Sequence, residues 1–265
     1  MNIKEITDIL DNKQYITPDE IRNTFLSLKK HIVIPNLILS KGNILYRATI
    51  INDVSELTNI KRLSYAPAEF NTNYKRASTP NNTMFYAISG DNYSDCITGC
   101  LFEVCECFRI PNATHKHYNV AIGVWETTAD IKLPQIINPD GKNKSDAFGN
   151  TPEFNTILDS VGNESIYIRQ FWRYMNKQFT KNVKNENEYW ISAVFTEWLV
   201  NTLNYKGVIY ESVQSTDSKQ KNNHCIALTP YAADNFLLFK EAHLFEFDYS
   251  GKDVSINQSQ KLNLK

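Results

Sequence analysis

Apolar residues recur along this chain with two different periods, and those periods sort it into helices and strands. Thr17-Pro18-Asp19-Glu20 offers a hydroxyl for an N-cap, a proline at the first helical position and a glutamate three residues after the cap. Ile21, Phe25 and Leu28 follow at helical spacing, which predicts a helix over about 18–30. Pro35 breaks the pattern, and Ser40-Lys41-Gly42-Asn43 is a turn signal before Ile44-Leu45-Tyr46-Arg47-Ala48, which reads as a strand. Further strand-like runs cover 84–88, 120–126, 208–210 and 225–228. Helical spacing returns over 94–105, over 154–179 and most clearly over 188–201, where Trp190, Ala193, Val194, Glu197, Trp198 and Leu199 mix core and surface positions. The polar stretch 137–145, with Pro139 and Gly141, reads as an exposed loop. Short strands separated by a few helices, without regular βαβ alternation, predict an α+β fold.

Length and composition make a sizeable core affordable. At 265 residues, 42% hydrophobic and 12% aromatic, the chain suits one large domain with an extension, placed here as a helical extension over 1–40 and a main domain over 41–265. Charge then narrows the function classes: 28 Lys+Arg stand against 29 Asp+Glu, and a net charge of −1 argues against a nucleic-acid binder. The longest uncharged apolar run, 32–39, has eight residues including Pro35 and Asn36, far short of the ~20 needed to span a bilayer. The opening Met1-Asn2-Ile3-Lys4-Glu5 and the following Asp8 and Asp11 do not resemble a secretory signal, so a cytoplasmic protein without membrane contact is expected. Four of the five cysteines, Cys96, Cys100, Cys105 and Cys107, crowd one stretch without a CxxC pair, and with Cys225 they read as reduced, mostly buried small residues.

The chemistry is not announced by a generic signature, for the chain lacks GxGxxG, GxxxxGK[ST], HExxH and GxSxG. His115 and His117 would share one side of a strand, but no third ligand stands near them and no metal is expected. His224, beside Asn223, reads equally as a site residue or as a polar residue closing a loop. More telling are polar residues set into apolar runs. Arg47 lies inside Leu45-Tyr46-Arg47-Ala48, where a guanidinium must reach water or pair with an anion. Tyr74-Lys75-Arg76-Ala77-Ser78-Thr79-Pro80 is a basic, hydroxyl-rich turn leading to Tyr86. Glu103 sits within Cys100-Leu101-Phe102-Glu103-Val104-Cys105, and Glu211-Ser212 follow the apolar run Gly207-Val208-Ile209-Tyr210.

In this order the segments resemble the RES domain family, named for its Arg, Glu and Ser. Tyr46-Arg47-Ala48 is similar to the family's opening strand. Lys75-Arg76-Ala77-Ser78 with Pro80 is similar to its turn, and Met84-Phe85-Tyr86-Ala87 to the strand with a tyrosine. Glu103 takes the place of the family glutamate, with Glu106 as its rival. Asn204-Tyr205-Lys206-Gly207-Val208-Ile209-Tyr210-Glu211-Ser212-Val213 and Asn223-His224-Cys225-Ile226-Ala227-Leu228 resemble the late segments. The resemblance runs over about 44–230, and Lys75 and Ser78 depart from the family's Gly and Asn.

The resemblance implies an ADP-ribosyltransferase-like split β-core with surrounding helices, and a toxin that cleaves NAD⁺ to nicotinamide and ADP-ribose beside an antitoxin encoded nearby. It implies Arg47, Glu103 and Ser212 as catalytic and Arg76, Tyr86 and Asn223 as NAD-binding, with NAD⁺ a substrate rather than a cofactor. The residue types suit this chemistry. Guanidinium groups bind a pyrophosphate by charge-assisted bonds, and a carboxylate stabilises the oxocarbenium-like state of N-glycosidic cleavage. Transfer of ADP-ribose to a macromolecule or to phosphate, and a degenerate RES-like domain that binds a nucleotide or partner without catalysis, stay open as alternatives. Homo-oligomerisation is open as well.

Overall fold

A computed structural model of the chain describes residues 2–12, 16–30, 32–57, 59–105, 116–139, 151–212, 224–250 and 254–262. Its first helices start where their caps dictate. Helix α1 (Ile3–Asn12) buries Ile3, Ile6 and Leu10 along one stripe. Helix α2 (Pro18–Leu26) carries the expected capping box: the Glu20 N–H donates to Thr17 Oγ1 at 3.3 Å, and the Thr17 N–H donates to the Glu20 carboxylate at 2.9 Å. Residues 27–30 then tighten into a 3₁₀ turn, which ends the α-helix earlier than the spacing predicts while still burying Leu28.

The strands are β1 (Asn36–Leu39), β2 (Ile44–Ile51), β3 (Phe85–Ser89), β4 (Lys116–Thr127), β5 (Ile131–Pro134), β6 (Gly207–Glu211), β7 (His224–Leu228), β8 (Leu237–Tyr249) and β9 (Val254–Leu262). Among the described residues, seven form one antiparallel sheet in the order β6-β7-β3-β2-β4-β8-β9, and β1 pairs with β5 in a separate ribbon. The remaining helices are α3 (Tyr93–Val104), α4 (Thr151–Ser160), α5 (Ser165–Thr180), α6 (Trp190–Asn201) and α7 (Pro230–Phe236). Strand alternation divides the core in two. Tyr46, Ile88, Tyr210 and Cys225 join a cluster built by α1, α2, α3, α5 and α6, with Phe25, Trp172 and Phe195 fully buried in it. Leu45, Phe85, Ile209 and Ile226 join the opposite cluster with Leu39, Leu133 and Ala232 from the ribbon and α7. Most helices thus cover one face of an antiparallel sheet, an α+β architecture.

Three segments differ from the sequence reading. The helical run over 154–179 is two helices, because Gly162 adopts φ +63° and a 3₁₀ turn separates α4 from α5. Residues 1–40 share the main core: α1 lies on α5, α2 lies on α6, and residues 36–39 are strand β1. The residues after 230, beyond the reach of the resemblance and not among the predicted strands, complete the sheet, since β8 pairs with the whole of β4 and β9 pairs with β8. The loop over 137–145 begins with Ile137 buried, and its part from 140 lies outside the described residues.

Two strand junctions set up the site. β2 and β3 share a single registered pair, Tyr46 opposite Ile88, whereas β2 pairs with β4 along its full length. At the other junction, a Cβ on Gly207 would sit 2.1 Å from the Ala227 carbonyl oxygen, so only glycine lets β6 pair so closely with β7. That pairing puts Tyr210 opposite Cys225.

Candidate functional site around Glu103

Helix α3 is capped by Asn92, whose side chain accepts from the Ser94 and Asp95 N–H groups. From there Cys96, Cys100 and Glu103 follow at spacings of four and three, one stripe turned to the sheet. Cys96 and Cys100 are buried, and the Cys100 thiol donates to the Tyr46 carbonyl at 3.2 Å. Glu103 closes the stripe in the last turn, where the carbonyl end of the helix disfavours a carboxylate. It is held there by side chains from β7 and the end of β6. The Ser212 hydroxyl, 1% exposed, donates to Oε1 at 2.9 Å, and the Cys225 thiol donates to the same oxygen at 3.5 Å. Burial, then the Glu103 carboxylate, pushes the Cys225 thiol well above its usual range, which keeps it an S–H donor.

Tyr86 stands on β3 beside this pair. Its phenol donates to Ser78 Oγ at 2.9 Å and accepts from the Ala77 N–H at 3.2 Å. Both partners belong to the tight turn in which Lys75 and Ser78 exchange backbone hydrogen bonds at 2.9 and 3.2 Å. Burial pushes the phenol up to about 12, against the pull of those two bonds and of Arg47 and Arg76. Tyr210, buried with its ring 5.2 Å from that of Phe179, is pushed well above the usual tyrosine range by burial, with Cys225, Tyr86 and Glu103 adding to it.

The two arginines are placed differently. Arg76 donates to the Phe179 carbonyl at 2.5 Å and to the Lys181 carbonyl at 3.2 Å, so it caps the C-terminus of α5. Its guanidinium lies 5.4 Å from the Tyr189 ring centre. Its positive charge is felt at Tyr86, Tyr210 and Cys225. Arg47 is built into the seam between β2 and β3. Nε donates to the Ser64 carbonyl at 2.7 Å, Nη1 donates to the Tyr86 carbonyl at 2.8 Å, and the guanidinium lies 5.4 Å from the Phe85 ring centre. Burial lowers it to about 10. Among the described residues neither Arg47 nor Arg76 forms an ion pair, so two half-buried cations flank Tyr86 without a protein carboxylate to balance them.

Of the residues singled out from sequence, Glu103 and Ser212 are in direct contact, and Tyr86 is flanked by both arginines. Asn223, Glu106, Cys107 and His115 lie outside the described residues. His117 is far along β4, its Nδ1 2.8 Å from Asp248 on β8, and that bond raises it. His224 is buried opposite Ser89 and Glu211, one position out of phase with Cys225. Tyr210 and Cys225 are the site neighbours that sequence reasoning missed. The alternation of β6 and β7 was the available signal, because it points both to the side of Tyr86. Among the described residues no group of three His, Cys, Asp or Glu is arranged to hold a metal ion. An open cavity of about 450 Å³ beside Asp130, Lys132, Tyr205, Lys206 and Phe236 shares no residue with this cluster. The cluster therefore offers a fixed carboxylate, a protonated phenol and the nearby Arg76 guanidinium on one face of the sheet, with Arg47 in the β2–β3 seam against Phe85 of the opposite cluster. In comparisons with known proteins, the chain matches no family model and has no significant match to a curated protein.

Proposed function

We propose that this chain is a RES-like NAD⁺ glycohydrolase, a toxin that cleaves NAD⁺ to nicotinamide and ADP-ribose on an ADP-ribosyltransferase-like split β-core. The observation that carries the reading is the Ser212-held carboxylate of Glu103 near Tyr86, itself flanked by two half-buried guanidiniums that form no ion pair among the described residues. A ligand that suits both must bring a dianion and a centre that becomes cationic in reaction, and NAD⁺ has a pyrophosphate and a ribosyl C1′. The single registered pair between β2 and β3 is compatible with a split core. Glu103 at the carbonyl end of α3 points the same way, since stability alone would favour a basic residue there.

On this reading Arg76 contributes its remaining N–H groups to the pyrophosphate, and Arg47 holds the Tyr86 strand while adding positive potential. Tyr86 packs against the ribose or nicotinamide, and the family resemblance gives Asn223 a part in NAD⁺ binding. The C1′–N bond breaks with its electron pair passing to the nicotinamide ring, which loses its charge on departure. Glu103 stabilises the oxocarbenium-like state, water adds to C1′ and releases its proton. NAD⁺ is a substrate, no further cofactor enters, and an antitoxin encoded nearby is the expected partner in a cytoplasmic setting. Ser78 replaces the family's Asn yet holds the Tyr86 phenol, so that departure does not favour a degenerate site.

Incubation of the pure protein with NAD⁺ is expected to release nicotinamide and ADP-ribose in equal amounts, and Glu103→Gln is expected to lower the rate at least about 100-fold. No nicotinamide release refutes the proposal. Label from tagged NAD⁺ appearing on a macromolecule, or on phosphate, would make the chain a transferase or phosphorylase instead.

A further inference from the structure

We propose that Cys225 is a positioning residue for Glu103, completing with Ser212 a two-donor clamp on Oε1 that leaves Oε2 to face the reacting centre. The inference rests on the NAD⁺ reading for its catalytic consequence but not for its geometry. Both donors reach the same oxygen, the hydroxyl at 2.9 Å and the thiol at 3.5 Å, and among the described residues Oε2 has no hydrogen-bond donor. They come from neighbouring strands that no side-chain rearrangement can separate. Cys225 is fixed on β7 opposite Tyr210 and opposite Ile88, and Ser212 directly follows β6. A carboxylate held by one hydroxyl can still swing about that bond, whereas two donors converging on one oxygen fix the plane of the group.

The setting explains why a thiol serves here. Facing Glu103 and Cys225 are Cys100 on α3, Tyr210 on β6 and Tyr86 on β3, each held protonated by burial, with Arg76 of the turn more distant. None of the side chains nearest the thiol is a base that would take its proton, and the carboxylate itself opposes thiolate formation. Cys225, 5% exposed, therefore remains a donor to Glu103.

Two measurements test the clamp. In NAD⁺ hydrolysis, Cys225→Ala is expected to lower kcat about tenfold while KM stays within about twofold, because orientation of the acid matters in the transition state and not for ground-state binding. Cys225→Ser, which restores a donor of similar size, is expected to recover most of that loss. Equal losses in Ala and Ser, or a loss seen only in KM, overturn the proposal. The second measurement needs no substrate. The S–H stretching band of Cys225, isolated by infrared difference against Cys225→Ala, is expected to move to higher frequency in Glu103→Leu, as a thiol does when its acceptor is removed. An unmoved band overturns the clamp whatever the activity. If the wild type releases no nicotinamide but the band moves, the NAD⁺ reading fails and the clamp stands.

Discussion

Arg47 shows how one side chain can serve the sheet and the site at once. Where β2 and β3 lose register, its guanidinium takes the place of ladder hydrogen bonds by donating to the Ser64 and Tyr86 carbonyls. Removing it leaves two part-buried acceptors without donors, so Arg47→Ala is expected to cost about 2–4 kcal/mol in urea unfolding. Arg47→Lys should recover only part of this, because an ammonium cannot reproduce the fork that serves both carbonyls. Arg76→Ala removes a cap from the end of α5 and is expected to cost no more than about 1–2 kcal/mol. Activity should therefore fall with stability for Arg47 and out of proportion to stability for Arg76. Equal and small destabilisation by both substitutions would contradict the structural role of Arg47. From sequence alone the role of Arg47 was open, since a guanidinium inside an apolar run must find a partner but the run does not say whether that partner is a ligand or a carbonyl.

At the level of elements, legibility followed how local the cause was. Thr17, Pro18 and Glu20 made the start of α2 readable because its cap lies within four residues. The strands β2, β3, β6 and β7 were readable as apolar runs, and with them Arg47, Tyr86 and Ser212 were already in hand. What bound Glu103 to Ser212 and Cys225 was a pairing across more than 100 residues, fixed by the Gly207 close approach and the packing of α3, and no local pattern encodes it. β8 was missed although Phe245, Phe247 and Tyr249 alternate with Glu246 and Asp248, because Glu241 and His243 interrupt that phase, Ala242 and Leu244 take the other, and a register shift opposite Val124 and Trp125 turns Phe239 to the second cluster. Its role in the sheet leads to a clear expectation. A chain ending at residue 236 would expose the whole edge of β4 and strip Leu244, Phe245 and Phe247 from the two cores. It should be insoluble or lack a cooperative thermal transition by circular dichroism. A soluble, cooperatively melting truncation would show that β8 and β9 are dispensable.

Across the whole molecule, the groups that matter most for pH dependence are acids held protonated by burial. Cys96 is pushed up to about 12 by burial, and Cys100 and Cys225 are driven well above the ordinary thiol range for the same reason. Tyr46 and Tyr86 follow at about 12, again mainly by burial. Each binds its proton more tightly folded than unfolded, so none affects stability while both states remain protonated. Unfolded thiols begin to ionise near about 8.5 and unfolded phenols near about 10. Above the first value the unfolded state sheds protons that the folded state keeps, and stability falls as pH rises. Arg47 acts in the opposite sense, but only above about 10, where burial lets the folded state lose its proton first. His117, about half exposed and raised by its bond to Asp248, makes a small contribution that is present at low pH and is lost as pH rises through the histidine range, before the thiol window opens. The melting temperature is therefore expected to be flat through neutral pH and to decline from about 8.5 under reducing conditions. Replacing Cys96, Cys100 and Cys225 together by alanine should delay the onset to about 10, where the tyrosines take over. A wild-type curve that stays flat to about 10 would mean that these thiols do not sit in the buried, water-excluded positions that the packing of α3 on β2 and β3 assigns them.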